Sequence, residues 1–221
     1  MAGLRDLGFS EGLILETIVS TYNANGEPNA APMGIMMKTE RNLKIKPYVT
    51  TTTYQNLVAT KSAVINLTTD PELFYITAFK EVAPNGKLPL ALFRKAKSVV
   101  APRLVTADTH IEVTVESLKT LENEKTEAEC TVRLIKTSKK IPKAYCRAAG
   151  ATIEAIIHAT RIKAFLNKSE EKNEQVLELL ERFRICRDVV NHVGAGSRYS
   201  DIMSDLAKRI EEWRRESESS S

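Results

Sequence analysis

The chain has 221 residues, 43% of them hydrophobic, so it can bury a core and does not have the composition of a disordered protein. Its 32 basic and 28 acidic residues leave a net charge of +4, which permits an anionic small ligand but does not indicate nucleic-acid binding. Three widely spaced cysteines, Cys130, Cys146 and Cys186, form no CxxC pair, which argues against a disulfide framework and a zinc site.

The front of the chain predicts short antiparallel strands. Residues 12–22 are dense in β-branched side chains, Asn25 and Gly26 supply a turn, and residues 30–39 return as a second strand. The later predicted strands are residues 42–48, 62–68, 110–118 and 127–136, the last two as an antiparallel pair.

The back of the chain predicts helices, after an early one that starts at Pro71 and is capped by Asp70. Helical periodicity begins again at Ala144, another helix opens at Ser169, and "GAGS" at residues 194–197 ends it. The predicted apolar stripes are Val176, Leu177, Leu180 and Phe183, and then Ile202, Leu206, Ile210 and Trp213 in the last helix. Strands followed by segregated helices indicate an α+β protein with a closed or nearly closed antiparallel barrel.

Four consecutive threonines lie where a strand gives way to a helix. Thr50 to Thr53 offer hydroxyls, the helix beginning near Tyr54 offers free N–H groups, and Lys44 and Lys46 add positive charge upstream. Converging donors of this kind can bind a phosphate. A solvated strand end rich in β-formers explains the same residues, and the local sequence alone slightly favours that simpler explanation.

Other motifs are less informative. Pro32 and Gly34 interrupt a strand and bare its backbone to a flat ligand, although a β-bulge is the commoner explanation. Cys146 beside Arg147 fits a reactive thiol, but a structural cysteine explains it better. The three histidines have no metal-ligand spacing, so we expect no metal and no histidine-based catalysis.

Two stretches, taken together, resemble the FMN-binding split barrels, a group that includes flavin reductases and pyridoxamine phosphate oxidases. They are "PNAAPMGI" at residues 28–35 and "KPYVTTTTYQNLVATKSAVINLTTDPELF" at residues 46–74. Within that group the chain is most similar to a mostly archaeal, uncharacterised family with a helical C-terminal part. That part contains a motif like "AAGATIEAIIHATRI", found here at residues 148–162.

The resemblance implies an antiparallel split β-barrel with FMN in a groove at the interface of a homodimer. From the sequence we expect an FMN-binding barrel in residues 1–142, a helical subdomain in residues 143–216 and a disordered tail in residues 217–221. The implied cofactor-binding residues are Asn29, Met33, Gly34, Lys46, Pro47, Tyr48, Thr50, Thr51, Thr52, Thr53, Asn56 and Arg147, with Asn66 and Arg161 as further candidates.

The implied contacts fall into two groups. The threonine run and Asn56 would surround the phosphate, with Lys46 nearby, while the backbone of Met33 and Gly34 would face the flavin ring. Many relatives place an arginine at the phosphate, where this stretch has lysines. The resemblance therefore implies that Arg147 or another arginine, from either chain of the dimer, completes the site.

If FMN binds, the flavin carries the chemistry, and no acid–base side chain is required for hydride transfer. We therefore expect an FMN-dependent oxidoreductase of the flavin reductase type, with a nicotinamide as electron donor and an undefined substrate. A flavin-binding or carrier module without turnover, and a helical protein-interaction module on a barrel scaffold, are the alternatives. No signal peptide and no membrane-spanning stretch is recognisable, so we expect a cytoplasmic protein without membrane or nucleic-acid partners.

Overall fold

The computed structural model describes residues 3–11, 13–83, 86–121, 126–138, 147–166 and 173–219. The chain divides into two compact units. A barrel unit comprises Met1–Thr68 and Phe79–Ile141, and a helical unit comprises Thr69–Ala78 and Pro142–Ser221. Residues 69–78, which the sequence places with the barrel, thus group with the helices. No helix within the described ranges is long and apolar enough to cross a membrane.

The barrel unit is built on a closed antiparallel barrel. The strands of this unit are β1 (Ile14–Tyr22), β2 (Pro28–Thr39), β3 (Asn42–Ile45), β4 (Ser62–Leu67), β5 (Phe93–Lys95), β6 (Pro102–Leu104), β7 (Thr109–Thr120) and β8 (Thr126–Thr137), and α1 (Thr52–Thr60) lies between β3 and β4. The barrel order is β1-β2-β3-β8-β7-β4, with β1 pairing to both β2 and β4, while β5 and β6 form a separate hairpin. The predicted α+β class with an antiparallel barrel is confirmed.

Successive side chains of a strand point to opposite faces of the sheet, so side chains at alternate positions of the barrel strands fill the barrel interior. These core residues are Val19, Ile35, Met37, Leu43, Ile45, Ala63, Ile65, Ile111, Val113, Val115, Ala128 and Cys130. Leu4 and Phe9 from the N-terminal segment and Leu57 from α1 join the same core. Burial raises the pKa of the Cys130 thiol to about 12, so this cysteine is a protonated core residue.

Buried polar contacts attach the β5–β6 hairpin to the barrel. Asn66 in β4 donates from Nδ2 to the carbonyl of Ile18 at 2.8 Å, and its Oδ1 accepts from the N–H of Leu104 at 2.9 Å. Ser20 donates to the carbonyl of Pro102 at 2.6 Å. Asn66 is fully buried, and these hydrogen bonds account for its side chain without a ligand.

The helical unit contains α2 (Pro71–Ala78), α3 (Arg147–Leu166), α4 (Asn173–Val193) and α5 (Arg198–Ser219). α3 packs against each of the other three helices. Small side chains make this approach close, because Ala148, Ala155 and Ala159 of α3 are all fully buried. In the turn after α4, a Cβ on Gly194 would lie 2.9 Å from the Cβ of Ala148, so glycine is required there.

The helices differ from expectation in two places. The apolar stripe predicted for α4 includes Leu177, but this side chain is 64% exposed and Leu179 is buried instead. The last helix continues to Ser219, so residues 217–219 are helical where the sequence predicts a disordered tail. The helix start predicted at Ser169 lies outside the described residues.

Candidate functional site

The threonine run forms the predicted junction between a strand and a helix. Thr51 is the N-cap of α1, with the extended backbone typical of that position. Its hydroxyl donates to the carbonyl of Tyr48 at 2.7 Å and accepts from the N–H of Tyr54 at 3.3 Å. The helix starts here because Thr51 satisfies one of the N–H groups that the first turn leaves unpaired.

The other three threonines have different surroundings. Thr50 and Thr52 are exposed, and neither hydroxyl forms a hydrogen bond with another described residue. Thr53 is buried, and its Oγ1 accepts from Nδ2 of Asn29 at 3.5 Å. Two hydroxyls of the run therefore remain available at the surface, while those of Thr51 and Thr53 take part in the corner's own hydrogen bonds.

Two asparagines tie the start of α1 to the barrel strands. Asn56 is buried and donates to Oγ1 of Thr21 in β1 at 2.9 Å. Asn29 in β2 is also buried and reaches Thr53 from the other side. Because an unpaired buried amide costs about 1–3 kcal/mol, these bonds hold the first turns of α1 in place. The structure thus brings both predicted asparagines to the threonine corner.

The start of β2 has an open backbone edge. β3 pairs with β2 from Ile35 onward, whereas residues 28–34 pair with β1 and with no other described strand. Met33 and Gly34 both lie in this half-paired segment. Main-chain groups on such an edge can bind a ligand, as strand edges commonly bind partners.

Gly34 also has a packing reason within the barrel. A Cβ there would lie 2.6 Å from Cγ2 of Ile14 in β1, closer than two carbon atoms can approach. The carbonyl of Met33 accepts from the hydroxyl of Thr17 at 3.0 Å. The β1–β2 register runs through Pro32 and Gly34 without a shift, so the β-bulge offered as the simpler explanation is not present.

Pro47 and Tyr48 lie between β3 and the threonine run. Pro47 is buried, and its carbonyl accepts from both the N–H and the Oγ1 of Thr126 at 2.9 Å each. Tyr48 is 43% exposed, so its ring lies at the surface of the corner. The corner is therefore anchored to β8 on one side and exposes an aromatic ring on the other.

The lysines just upstream of the threonines share one carboxylate. Glu127, at the start of β8, accepts from Lys44 at 2.7 Å and lies 3.5 Å from Lys46. The hydrogen bond from Lys44 lowers the pKa of Glu127, and the same contact raises the pKa of Lys44. Pairing of β3 with β8 brings these charges together. The Glu127 carboxylate therefore offsets the positive charge of Lys44 and Lys46, which the sequence leads us to expect beside a phosphate.

Lys80 is a cation at this corner that the sequence analysis missed. It lies in the barrel unit immediately after α2, and its Nζ donates to Oδ1 of Asn29. Since Asn29 also donates to Thr53, two hydrogen bonds connect the Lys80 ammonium with the first turn of α1. The signal in the sequence was a lone lysine after the apolar run "LFYITAF" at residues 73–79, in a segment without clear periodicity.

The environment of Lys80 is unusual for a lysine. Its side chain is half-buried, and burial lowers its pKa despite a smaller, opposite effect of the adjacent Glu81. No acidic residue in the described ranges forms an ion pair with Lys80. Its positive charge therefore has a neutral amide as hydrogen-bond partner.

Arg147 is the exposed first residue of α3, in the helical unit. Arg161 is exposed on the same helix, and Cys146 lies outside the described residues. A contact of either arginine with a bound phosphate stays a prediction.

Comparison with known proteins gives both a family and a fold. A family model described as "Protein of unknown function (DUF447) N-terminal domain" matches residues 15–140. No curated protein matches the sequence. An FMN-bound protein from Methanosarcina mazei, assigned to the same family model, is 25% identical with a TM-score of 0.73, covering 93% of this chain and 98% of that one. A split-barrel protein from Shewanella frigidimarina, assigned as a flavin reductase, shares the fold at 10% identity and a TM-score of 0.50, covering 62% of this chain and 76% of that one.

Proposed function

We propose that this protein, which belongs to the DUF447 family, is an FMN-dependent oxidoreductase of the flavin reductase type. The observation that carries the proposal is the structural match to the FMN-bound relative from Methanosarcina mazei. The match covers nearly the full length of this chain and of that protein. A homodimer with the cofactor at its interface, a nicotinamide donor and a cytoplasmic location belong to the same proposal.

The threonine corner suits the phosphate end of FMN. A phosphate monoester carries close to two negative charges at neutral pH and needs converging donors. Thr50 and Thr52 have hydroxyls without a described partner, and Thr53 can donate its own proton while accepting from Asn29. The first turn of α1 adds N–H groups and the positive end of the helix dipole. Thr51 and Asn56 contribute by holding that turn in place.

The open edge of β2 suits the flavin ring. Between Asn29 and Gly34 the main-chain groups on the side away from β1 have no described strand partner, so they can bind the polar edge of the isoalloxazine. The exposed ring of Tyr48 can pack against the flavin. The phosphate and ring contacts would then lie along one continuous stretch from β2 to α1.

When bound, FMN would supply two-electron chemistry, with a reduced nicotinamide as the hydride donor and an oxidised small molecule as the final electron acceptor. The protein residues bind and orient the cofactor and limit access to it. None of them has to move a proton for the hydride step, which agrees with a site made of hydroxyls, amides and main-chain groups.

The proposal is tested with freshly purified protein. We expect a flavin absorption spectrum, or its appearance on adding FMN, and rapid bleaching by NADH or NADPH without oxygen. A bound flavin that neither NADH nor NADPH reduces would contradict the proposed oxidoreductase activity and favour a carrier module. A colourless protein that retains no FMN on gel filtration would contradict the cofactor as well.

A double variant tests the placement of the phosphate. Changing Thr50→Ala and Thr52→Ala should weaken FMN binding by about 2–4 kcal/mol, because each hydrogen bond to a charged group contributes about 1.5–3 kcal/mol and the losses are not fully additive. Riboflavin, which lacks the phosphate, should bind as before. Thr60→Ala, at the other end of α1, is the matched control. Equal FMN affinity in a fluorescence titration of double variant and control would place the phosphate elsewhere.

A further inference from the structure

We propose that Lys80, held in position by Asn29, supplies the positive charge that binds the phosphate of FMN. The inference rests on the proposed function and adds to it a residue from outside the threonine stretch. Asn29 is, on this proposal, a positioning residue, because it acts through the lysine.

The lysines nearest in sequence are poorly suited to this role. Lys44 and Lys46 both lie beside the carboxylate of Glu127, at 2.7 Å and 3.5 Å. A phosphate approaching them would meet that negative charge as well. Binding there would require the carboxylate to be displaced or the repulsion to be overcome.

Among the described residues, Lys80 forms no ion pair with a carboxylate, and the adjacent Glu81 acts on its charge only weakly compared with burial. Its ammonium is half-buried and donates to the neutral Oδ1 of Asn29. Keeping a charge in such a place is unfavourable unless an opposite charge compensates it. A phosphate dianion would provide that compensation, and burial would strengthen the attraction relative to a fully solvated lysine.

The position of Lys80 is defined by hydrogen bonds. Asn29 is itself buried, receives the lysine proton on Oδ1 and donates from Nδ2 to Thr53 in the first turn of α1. The lysine is thereby directed towards the helix end that the proposed function assigns to the phosphate. A cation held before the ligand arrives loses less conformational freedom on binding, which favours affinity.

The pKa of Lys80 agrees with this geometry. Burial lowers it, with the neighbouring Glu81 acting in the opposite direction and more weakly. A bound phosphate would raise it again, because an opposite charge favours the ammonium form.

The test compares the affinities of FMN and riboflavin in the full-length protein. Lys80→Gln keeps a donor for Asn29 but removes the charge, and it should lower FMN affinity about 10- to 100-fold. Riboflavin affinity should stay nearly unchanged. Lys80→Arg, which keeps the positive charge, should lower FMN affinity less than Lys80→Gln does. Lys46→Gln is the rival variant, and Lys38→Gln, which breaks an exposed ion pair with Glu129, is the control for net charge.

A measurement on the wild-type protein covers the case in which Lys80→Gln does not fold. FMN, but not riboflavin, should slow the acetylation of Lys80 by acetic anhydride, read by peptide mass spectrometry, with Lys38 as the reference lysine. Equal protection by both flavins, or none, would overturn the inference.

The outcomes separate this inference from the proposed function. A protein that binds neither flavin refutes both. A strong preference for FMN that survives Lys80→Gln but is lost in Lys46→Gln refutes the role of Lys80 alone. Loss of the preference in Lys80→Gln, with Lys46→Gln and Lys38→Gln close to wild type, supports it.

Discussion

At the scale of single residues, the bounds of α1 are determined by the residues at its two ends. Thr51 begins the helix with a hydroxyl that accepts from the N–H of Tyr54. Lys61 ends it in the left-handed backbone region, with φ 51° and its N–H bonded to the carbonyl of Leu57. A residue with a Cβ pays about 1–2 kcal/mol in that conformation, which glycine avoids.

We expect Lys61→Gly to stabilise the protein by about 0.5–1 kcal/mol. The gain is smaller than the steric cost of the left-handed conformation, because glycine is also more flexible in the unfolded chain. The side chain of Lys61 is exposed, so little packing is lost. Urea unfolding of the variant is compared with Lys61→Ala, which removes the same charge but keeps the Cβ. Equal stability of the glycine and alanine variants would show that backbone strain at this position is negligible.

At the scale of elements, the β5–β6 hairpin depends on buried polar side chains of the barrel strands. Glu112 in β7 is buried and accepts from the N–H of Lys97 at 2.9 Å and from the hydroxyl of Ser98 at 2.6 Å. Burial raises the pKa of Glu112, but the hydrogen bonds from Ser98 and Lys97 together lower it more, so it lies below the ordinary value of 4.5. The ionised carboxylate thus anchors the loop that follows β5.

We expect Glu112→Gln to destabilise the protein by about 1–3 kcal/mol at pH 7, because an amide cannot accept all the hydrogen bonds that the carboxylate accepts. A carboxyl group with a lowered folded pKa stabilises fully above its unfolded pKa, here 4.5, and the effect is lost as pH falls through the folded pKa.

Chemical denaturation at pH 7 and below pH 4.5 measures this difference. The difference in the free energy of unfolding between the wild type and Glu112→Gln should be smaller at the lower pH. Glu116→Gln, which breaks an exposed ion pair with Arg133, should have a smaller effect at pH 7. A gap that is independent of pH would argue against the ionised form of Glu112.

At the scale of the whole molecule, the chain passes from the barrel unit to the helical unit and back before it finally enters the helices. Residues 69–78 form this early part of the helical unit, and α2 packs against α3 within it. Leu73 and Phe74 of α2 are buried in the full chain. A cut at the apparent barrel boundary would therefore separate α2 from its helical partner.

We expect a fragment of residues 1–141 to expose apolar surface, since α2 remains attached without α3. It should bind a hydrophobic dye more strongly and aggregate more readily than the full chain. The same fragment with Leu73→Gln and Phe74→Gln should bind less dye. A fragment that is monodisperse and binds no more dye than the full chain would show that α2 does not need the helical unit.

Several features were predictable because they depend on neighbours in sequence. The alternation in β7 and β8 identifies both strands, since every second side chain enters the core. Thr51 could be recognised near a helix start because capping involves residues three positions apart. The exposed Leu177 was mispredicted because apolar side chains on two sides of α4 leave the buried stripe ambiguous.

The sequence by itself determined the barrel strands, the helical back half and a hydroxyl-rich corner that opens α1. Only the tertiary structure decided which charges stand at that corner. Lys44 and Lys46 precede the threonines, yet β8 brings Glu127 against them from the other end of the unit, while Lys80 reaches the corner through Asn29. The physical reason is that a charge interacts with whatever lies within a few ångströms, and strand register and chain path set those neighbours.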